Sequence, residues 1–427
     1  MSTSLVALHL PPTDLPTALR RAWDDGAAVL PLPWEAPPAA TTRLVEQLRP
    51  TRLIRRDGED RRHAPGPALG LPEGSALVVP TSGSTGAPKA VVLSHAALQA
   101  ATQASLTRLG AQQGERFALA LPLHHVAGLQ VVLRAWACAT EPYLVDDPGD
   151  PTALAAAAAA TEHVSLVPTQ LTRLLQREET RRAAAAWRTV LVGGAALDPD
   201  VAQAAAAAGV AVIVSYGMTE TAGGCVYDGR PLDGAAVAIG VDRRIRLRGP
   251  TLCTGYLEPG AAGTGTPAAD GTPTEPGSAV PTLRPAVDPD GWFATADLGA
   301  IRSGRLEVLG RSDDVTIAGG ENVSTEQVAA VLRRHSAVAD AAVVGVPDRE
   351  WGSRLVAVVA PRDPSDPPEL AALRAFVIQD HPPAYAPREL VLVDALPRDP
   401  IGKLRRADLE ALATRTPRSP TTDGLSC

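Results

Sequence analysis

At 427 residues the chain has room for two or three domains with substantial cores. Apolar residues make up 45%, which excludes a disordered chain, and the formal net charge of −7 argues against nucleic acid or an anionic membrane surface as the main partner. The four cysteines, Cys138, Cys225, Cys253 and Cys427, have no C-x2-C spacing, so neither a zinc site nor a disulfide framework is expected.

Cysteine usage of this kind fits a reducing cytoplasm. The N-terminus has no basic stretch and meets Pro11-Pro12 early, so no signal peptide is expected. The longest apolar run, 153–160, is too short for stable membrane insertion. Only two of the 40 Lys and Arg residues are lysines, Lys89 and Lys403. A chain that uses arginine wherever a positive charge suffices keeps lysine where a compact, flexible ammonium is needed.

Residues 1–74 read as a helix over 15–23, a Pro-rich connection at 31–38, a second helix over 41–48 and a loop, with no chemistry. Two short apolar strands, 77–79 and 90–93, then flank a loop within Val78-Val-Pro-Thr-Ser-Gly-Ser-Thr-Gly-Ala-Pro-Lys89. Thr81, Ser82, Ser84 and Thr85 alternate there with Gly83 and Gly86, and Lys89 closes the loop. Hydroxyls and bare glycine amides at this density suit phosphate oxygens. A Walker A loop needs Gly-Lys-Ser/Thr opening a helix, whereas this one runs into a strand, so a P-loop NTPase is excluded.

From 75 to about 230 short apolar runs at 117–121, 143–145, 163–167, 189–192 and 210–214 alternate with alanine-rich helical stretches, which predicts βαβ units around a largely parallel sheet. The histidine pair of Leu121-Pro-Leu-His-His-Val-Ala-Gly-Leu129 follows one strand, where ligands sit in open α/β sheets. Val190-Leu-Val-Gly-Gly-Ala-Ala-Leu197 ends a buried strand in a tight Gly-Gly turn. Strands are again expected at 235–239, 244–248, 292–295 and 306–309, interrupted by a mobile Gly/Pro/Thr-rich insert at about 258–285 that carries no chemistry. Beyond 313, Ser324 is the expected N-cap of a helix, with Gln327 three residues on. Strands follow at 338–346 and 355–360, and 415–427 reads as a disordered tail.

Thr81-Ser-Gly-Ser-Thr-Gly-Ala-Pro-Lys89 resembles the phosphate loop of the adenylate-forming superfamily: acyl-CoA synthetases, adenylation domains of peptide synthetases and luciferases. Five further motifs match that superfamily in its own order. The resemblance implies an α/β enzyme, with a large N-terminal domain (1–312) of α/β subdomains plus a β-rich subdomain, then a small mobile α+β C-terminal domain (313–414). It implies that Thr81, Ser82, Gly83, Ser84, Thr85, Gly86 and Lys89 hold ATP phosphates. His125 would border the acyl pocket (His124 is the alternative), and Gly193, Gly194 and Ala195 would lie against adenine and the acyl group. Val214-Ser-Tyr-Gly-Met-Thr-Glu-Thr221 resembles the motif in which Ser215, Tyr216, Gly217 and Met218 line the nucleotide, Tyr216 stacks on adenine and Thr219 meets the α-phosphate. Its Glu220 would hold Mg2+, a cation that takes hard oxygen ligands.

Gly291-Trp-Phe-Ala-Thr-Ala-Asp-Leu298 and Gly310-Arg-Ser-Asp-Asp314 supply Asp297 and Arg311 for the ribose and Asp313 as hinge, again by resemblance. Gly319 and Gly320 would line the CoA tunnel, and Pro397-Arg-Asp-Pro-Ile-Gly-Lys403 ends in the expected catalytic lysine. Gly249-Pro-Thr-Leu-Cys-Thr-Gly-Tyr256 resembles a β-subdomain segment. Cys225 is expected to be a packed small residue rather than a nucleophile.

The cofactors implied are ATP, Mg2+ and CoA, and the partner is a small carboxylic acid, with no nucleic acid and a homodimer left open. Leu123-His-His-Val-Ala-Gly-Leu-Gln130 and Ala222-Gly-Gly-Cys-Val-Tyr-Asp-Gly-Arg-Pro-Leu-Asp-Gly234 are similar to the actinobacterial 2-succinylbenzoate (o-succinylbenzoate)–CoA ligases of menaquinone synthesis. An aromatic or fatty acyl-CoA ligase, or a stand-alone adenylation enzyme loading a carrier protein, stays open at the level of sequence. A degenerate nucleotide-binding protein is disfavoured by the presence of both lysines with Glu220, Asp297 and Arg311.

Overall fold

The computed structural model describes residues 3–56, 60–62, 70–81, 89–258, 281–318, 321–348, 352–379, 381–398 and 404–415. The chain divides into two compact units. The first comprises Met1–Ala238, Arg246–Ala294 and Arg302–Leu306; the second comprises Ile239–Ile245, Thr295–Ile301 and Glu307–Cys427. The division passes through the strands of a four-stranded sheet formed by Ala236–Ile239, Arg244–Arg248, Phe293–Arg302 and Arg305–Arg311.

The first unit holds two larger sheets. One has eight strands, in the spatial order Thr282–Pro285, Gly255–Glu258, Lys89–Ser94, Ser75–Thr81, Ala28–Pro31, Leu5–His9, Arg52–Arg55 and Asp60–Arg62. Its centre is parallel, with Leu5–His9 between Ala28–Pro31 and Arg52–Arg55. Helix Leu15–Asp24 packs Leu15, Leu19 and Ala22 with Val6 and Leu8. Helix Pro38–Leu48 packs Val45 and Leu48 with Leu5, Ala7 and Leu53 on the opposite face.

The strands of residues 1–74 are a finding against expectation, since only helices and a loop were read there. The bounds of the insert also move inward. Gly255–Glu258 and Thr282–Pro285 pair as antiparallel strands, and the remainder of that stretch, 259–280, lies outside the described residues, as does 416–427 of the expected tail.

The second sheet places Tyr143–Leu144, Phe117–Leu119, His163–Leu166, Thr189–Val192 and Val212–Met218 side by side and parallel, as the βαβ rhythm predicts. Gly223–Tyr227 and Arg230–Pro231 add antiparallel strands at one edge. The alanine tracts form helical turns within Pro151–Ala156, Ala157–Ala159 and Pro199–Ala207, consistent with alanine's low cost in a helix. No described helix is long and apolar enough to cross a membrane.

The second unit contains a five-stranded sheet of Glu321–Ser324, Val315–Ala318, Gly352–Pro361, Val338–Asp348 and Glu389–Leu392. Helix Thr325–Arg333 opens at Ser324, whose hydroxyl accepts the Gln327 N–H at 3.3 Å, the expected N-cap. That helix and Leu370–Val377 cover one face through Val328, Leu332, Leu373 and Val377. Helix Arg406–Arg415 covers the other, packing Leu409 and Ala413 against Val344, Val346, Val356 and Val358.

Candidate active site

Three of the sequence motifs fall just past the carboxyl ends of parallel strands in the seven-stranded sheet. The segment with His125 follows Phe117–Leu119, Gly193-Gly194 follows Thr189–Val192, and Thr219-Glu220 follows Val212–Met218. Loops at this edge converge, which is why open α/β sheets bind ligands there.

His125 occupies the N-cap position of helix Val126–Ala137 in an extended conformation, half-buried, its ring 4.2 Å from that of His124. Position 128 must be glycine for this turn, because a Cβ would lie 2.3 Å from the Pro122 carbonyl oxygen. Gly193 donates its N–H to the Leu166 carbonyl at 3.1 Å, and Gly194 turns the chain at φ +85°, leaving Ala195 exposed.

Ser215, Tyr216, Gly217 and Met218 lie on the strand itself, four residues beyond the expected strand end, and Thr219 and Glu220 begin a single 3-10 turn, Thr219–Thr221. The fully buried Thr221 builds that turn. Its hydroxyl accepts the Met218 N–H at 2.9 Å and donates to the Gly223 carbonyl at 2.6 Å. Gln130 ties the turn to helix Val126–Ala137 by donating Nε2 to the Ala222 carbonyl at 2.8 Å, while the Thr102 hydroxyl lies 3.1 Å from its Oε1. The half-buried Glu220 is held from a third direction. Its backbone carbonyl accepts the Cys253 N–H at 2.8 Å and its Oε1 accepts the Tyr256 hydroxyl at 2.9 Å.

The candidate phosphate hairpin is antiparallel, with Thr81 opposite Lys89 and the Thr81 hydroxyl donating to the Lys89 carbonyl at 3.1 Å. Ser82, Gly83, Ser84, Thr85 and Gly86 lie outside the described residues. The Lys89 ammonium stands 5.7 Å from the centroid of the Tyr256 ring. Tyr256 therefore neighbours both ends of the machinery, and its position corrects the sequence reading. Gly255–Glu258 is not a β-subdomain strand; it pairs with Lys89–Ser94 in the eight-stranded sheet, Tyr256 opposite Val91.

In the second unit Asp297, 8% exposed on strand Phe293–Arg302, accepts Arg311 Nη1 at 3.1 Å, so the two candidate ribose residues meet. The Asp297 N–H donates to the Thr295 hydroxyl at 3.0 Å, fixing the strand there. Asp313 lies in the 3-10 turn Ser312–Asp314, its side chain outside the described residues, as are Gly319, Gly320 and Lys403 altogether.

Burial pushes the Cys225 thiol up to about 12 at 2% exposure, which disfavours the thiolate a nucleophile needs and matches the packed role expected for it. Sequence reasoning missed Tyr256, Gln130 and Arg134. Arg134 is 3% exposed, donates Nε to the Gln130 carbonyl at 2.9 Å and Nη2 to the Ser165 hydroxyl at 3.1 Å, and has no carboxylate within ion-pair reach among the described residues. Its signal in the sequence was an arginine inside an otherwise apolar helix.

A two-sheet α/β unit with candidate ligand motifs gathered at strand carboxyl ends, accompanied by a smaller α+β unit, is the architecture of enzymes that bind adenylates. Residues 24–244 match the AMP-binding enzyme family and residues 327–403 match the AMP-binding enzyme C-terminal domain, so the chain belongs to the AMP-binding enzymes. It is 39% identical over 343 residues to a probable 2-succinylbenzoate–CoA ligase of Mycobacterium tuberculosis, covering 78% of this chain and 83% of the relative. Its fold matches wild-type E. coli MenE with a bound m-phenylether-linked analogue of OSB-AMS at a TM-score of 0.70 and 26% identity, over 97% of this chain and 89% of that one. ATP-bound MatB from Rhodopseudomonas palustris shares the fold at a TM-score of 0.78 and 23% identity, over 96% and 89% of the two chains.

Proposed function

We propose that this protein is an AMP-forming acid–thiol ligase that activates 2-succinylbenzoate with ATP and passes the acyl group to coenzyme A. The observation that carries the reading is the 39% identity, over most of both chains, to the mycobacterial ligase of that name. In the first half-reaction a substrate carboxylate oxygen attacks the α-phosphorus, the bond to the bridging oxygen breaks and pyrophosphate leaves. In the second, the CoA sulfur attacks the acyl carbon, AMP leaves and the thiol proton goes to solvent.

Phosphoryl transfer of this kind depends on position and on neutralising charge at the phosphate oxygens. In this reading the loop from Thr81 to Lys89, including Ser82, Gly83, Ser84, Thr85 and Gly86, cradles the phosphates. Tyr216 stacks on adenine between Ser215, Gly217 and Met218, Thr219 meets the α-phosphate, and Asp297 with Arg311 takes the ribose hydroxyls. Lys403 bonds both the carboxylate and the α-phosphate, and His125 with Gly193, Gly194 and Ala195 borders the acyl group. The second half-reaction brings Gly319 and Gly320 to the site by rotation about Asp313.

Two fits support the cofactors. Among the described residues no three His, Cys, Asp or Glu side chains gather as a self-sufficient metal cage. The Glu220 carboxylate suits Mg2+, which binds through one or two carboxylates plus substrate phosphates and, when bound, neutralises phosphate charge. For CoA, His9 Nε2 and Arg55 Nε are buried without a hydrogen-bond partner. The two residues are register partners at the carboxyl ends of their strands, and the His9 ring lies 5.3 Å from that of Trp34, tilted at 46°. An imidazole, a guanidinium and an indole suit a phosphorylated purine.

The test is pyrophosphate release from ATP and Mg2+ across a panel of carboxylic acids, with and without CoA. Selective turnover of 2-succinylbenzoate to its thioester is expected. Preference for another aromatic or fatty acid would discard the substrate, and turnover only with a phosphopantetheinylated carrier would discard CoA.

A further inference from the structure

We propose that Tyr256 is a positioning residue for nucleotide activation, its hydroxyl fixing the Glu220 carboxylate while its ring seats the Lys89 ammonium. The inference rests on the reading of Glu220 as the magnesium-side carboxylate, and assigns what aims it.

Gly255–Glu258 pairs with Lys89–Ser94, so Tyr256 belongs to the sheet that carries the phosphate hairpin. Glu220 belongs to the turn closing the strand of the other sheet. Tyr256 spans the gap between the two sheets with its 2.9 Å hydrogen bond, and Cys253 on the same segment holds the Glu220 carbonyl at 2.8 Å. Glutamate is thus clamped at both backbone and side chain by one stretch of chain. The phenol occupies Oε1 and leaves Oε2 without a donor among the described residues. An unclamped glutamate loses rotamer freedom when it binds a cation, and a clamped one has lost it already.

The Tyr256 hydroxyl is the donor in this contact, since a carboxylate oxygen accepts. The ring carries a second function. Lys89 Nζ lies 5.7 Å and Arg284 Cζ 5.0 Å from its centroid, both within cation–π range. Lysine has a flexible stem, and an aromatic face restricts where its charge rests.

Tyr256→Phe removes the hydroxyl and keeps the ring, Tyr256→Leu removes both, and Glu220→Gln tests the underlying reading, all in the full chain. Two readouts apply: the Mg2+ concentration giving half-maximal pyrophosphate release, and calorimetric affinity for ATP with Mn2+ and with EDTA, in the absence of acid. Tyr256→Phe is expected to raise the metal requirement and the Mn2+-ATP Kd about tenfold, while kcat at saturating Mg2+ and metal-free ATP affinity hold. Tyr256→Leu is expected to weaken metal-free ATP binding by about a further fivefold. If Glu220→Gln shifts the metal requirement and Tyr256→Phe does not, the inference is overturned and the reading of Glu220 stands. If Glu220→Gln leaves the requirement unchanged, the reading of Glu220 falls and takes the inference with it. A fall in kcat without a change in metal requirement would mark Tyr256 as merely structural, and equal metal-free affinities of Phe and Leu variants would overturn the role for Lys89.

Discussion

A methyl group at position 217 would sit 2.1 Å from the Gly223 carbonyl oxygen and 2.6 Å from the Gly224 Cα. Backbone rather than a flexible side chain stands in the way, so the strand pair must separate to admit it. Gly217→Ala is expected to cost roughly 1–3 kcal/mol of stability, as overpacking does, and to weaken ATP binding together with it. Denaturant melting and ATP titration of one preparation would show this; unchanged midpoints would mean the hairpin opens freely. Lys403→Ala is expected to slow acyl-adenylate formation by about 10²–10³, the usual loss for one preorganised electrostatic partner. Thioester formation from supplied acyl-adenylate should suffer far less. Single-turnover quench experiments on each half-reaction separate the two, and a wild-type adenylation rate would remove Lys403 from the chemistry.

Elements show where sequence reasoning reached and where it stopped. The candidate motifs at Thr81 to Lys89, Tyr216 to Glu220 and Asp297 could be picked out because each is local in sequence and its residue types suit the chemistry proposed for it. Leu5–His9 and Ala28–Pro31 were not legible as strands: Leu5, Val6, Ala7 and Leu8, and Ala28 to Pro31, are all buried, so nothing alternates with period two. Arg52–Arg55 hides its strand behind terminal arginines. Tyr256 was placed in the wrong sheet because its partner, Val91, is remote in sequence, and no local pattern encodes such a pairing.

The opposite, amino-terminal edge of the seven-stranded sheet carries its own polar cluster. His163 Nδ1 lies 2.6 Å from the Thr189 hydroxyl and Nε2 3.0 Å from Glu115, which also pairs with Arg188. Burial, opposed by Glu115, holds the His163 imidazole below its ordinary value. Burial alone would raise the Glu115 carboxyl, but the Gln112 N–H, His163 and Arg188 outweigh it and hold the group below the usual range. For both groups the unfolded chain binds protons more readily, so stability rises with pH across each window. It should be complete above about pH 6.5, decline as the histidine window is entered, and decline again below about pH 4.3. Melting temperature followed from pH 8 to 4 checks this, with His163→Gln expected to flatten the upper decline. A wild-type curve flat to pH 5 would contradict it.

At the scale of the whole molecule, the two half-reactions ask different things of the second unit. In the proposed mechanism the chain turns about Asp313, which lies in a single 3-10 turn. Proline there restricts φ and removes the N–H, stiffening the turn. Asp313→Pro is expected to spare one half-reaction and depress the other by at least about tenfold. The same single-turnover assays would reveal the split, and equal effects on both would argue against a hinge at this position.

The eight-stranded sheet also has a history written into its order. Lys89–Ser94 leaves the ribosome early, with Ala90, Val91, Val92 and Leu93 destined for burial. The strand that covers its outer edge, Gly255–Glu258, follows about 160 residues later, a delay of roughly 8–30 s at common rates of synthesis. Through that interval the nascent chain presents an apolar, unpaired strand edge, the kind of surface that recruits foreign strands or chaperones. A fragment ending at residue 244, where the N-terminal family match stops, would make that interval permanent.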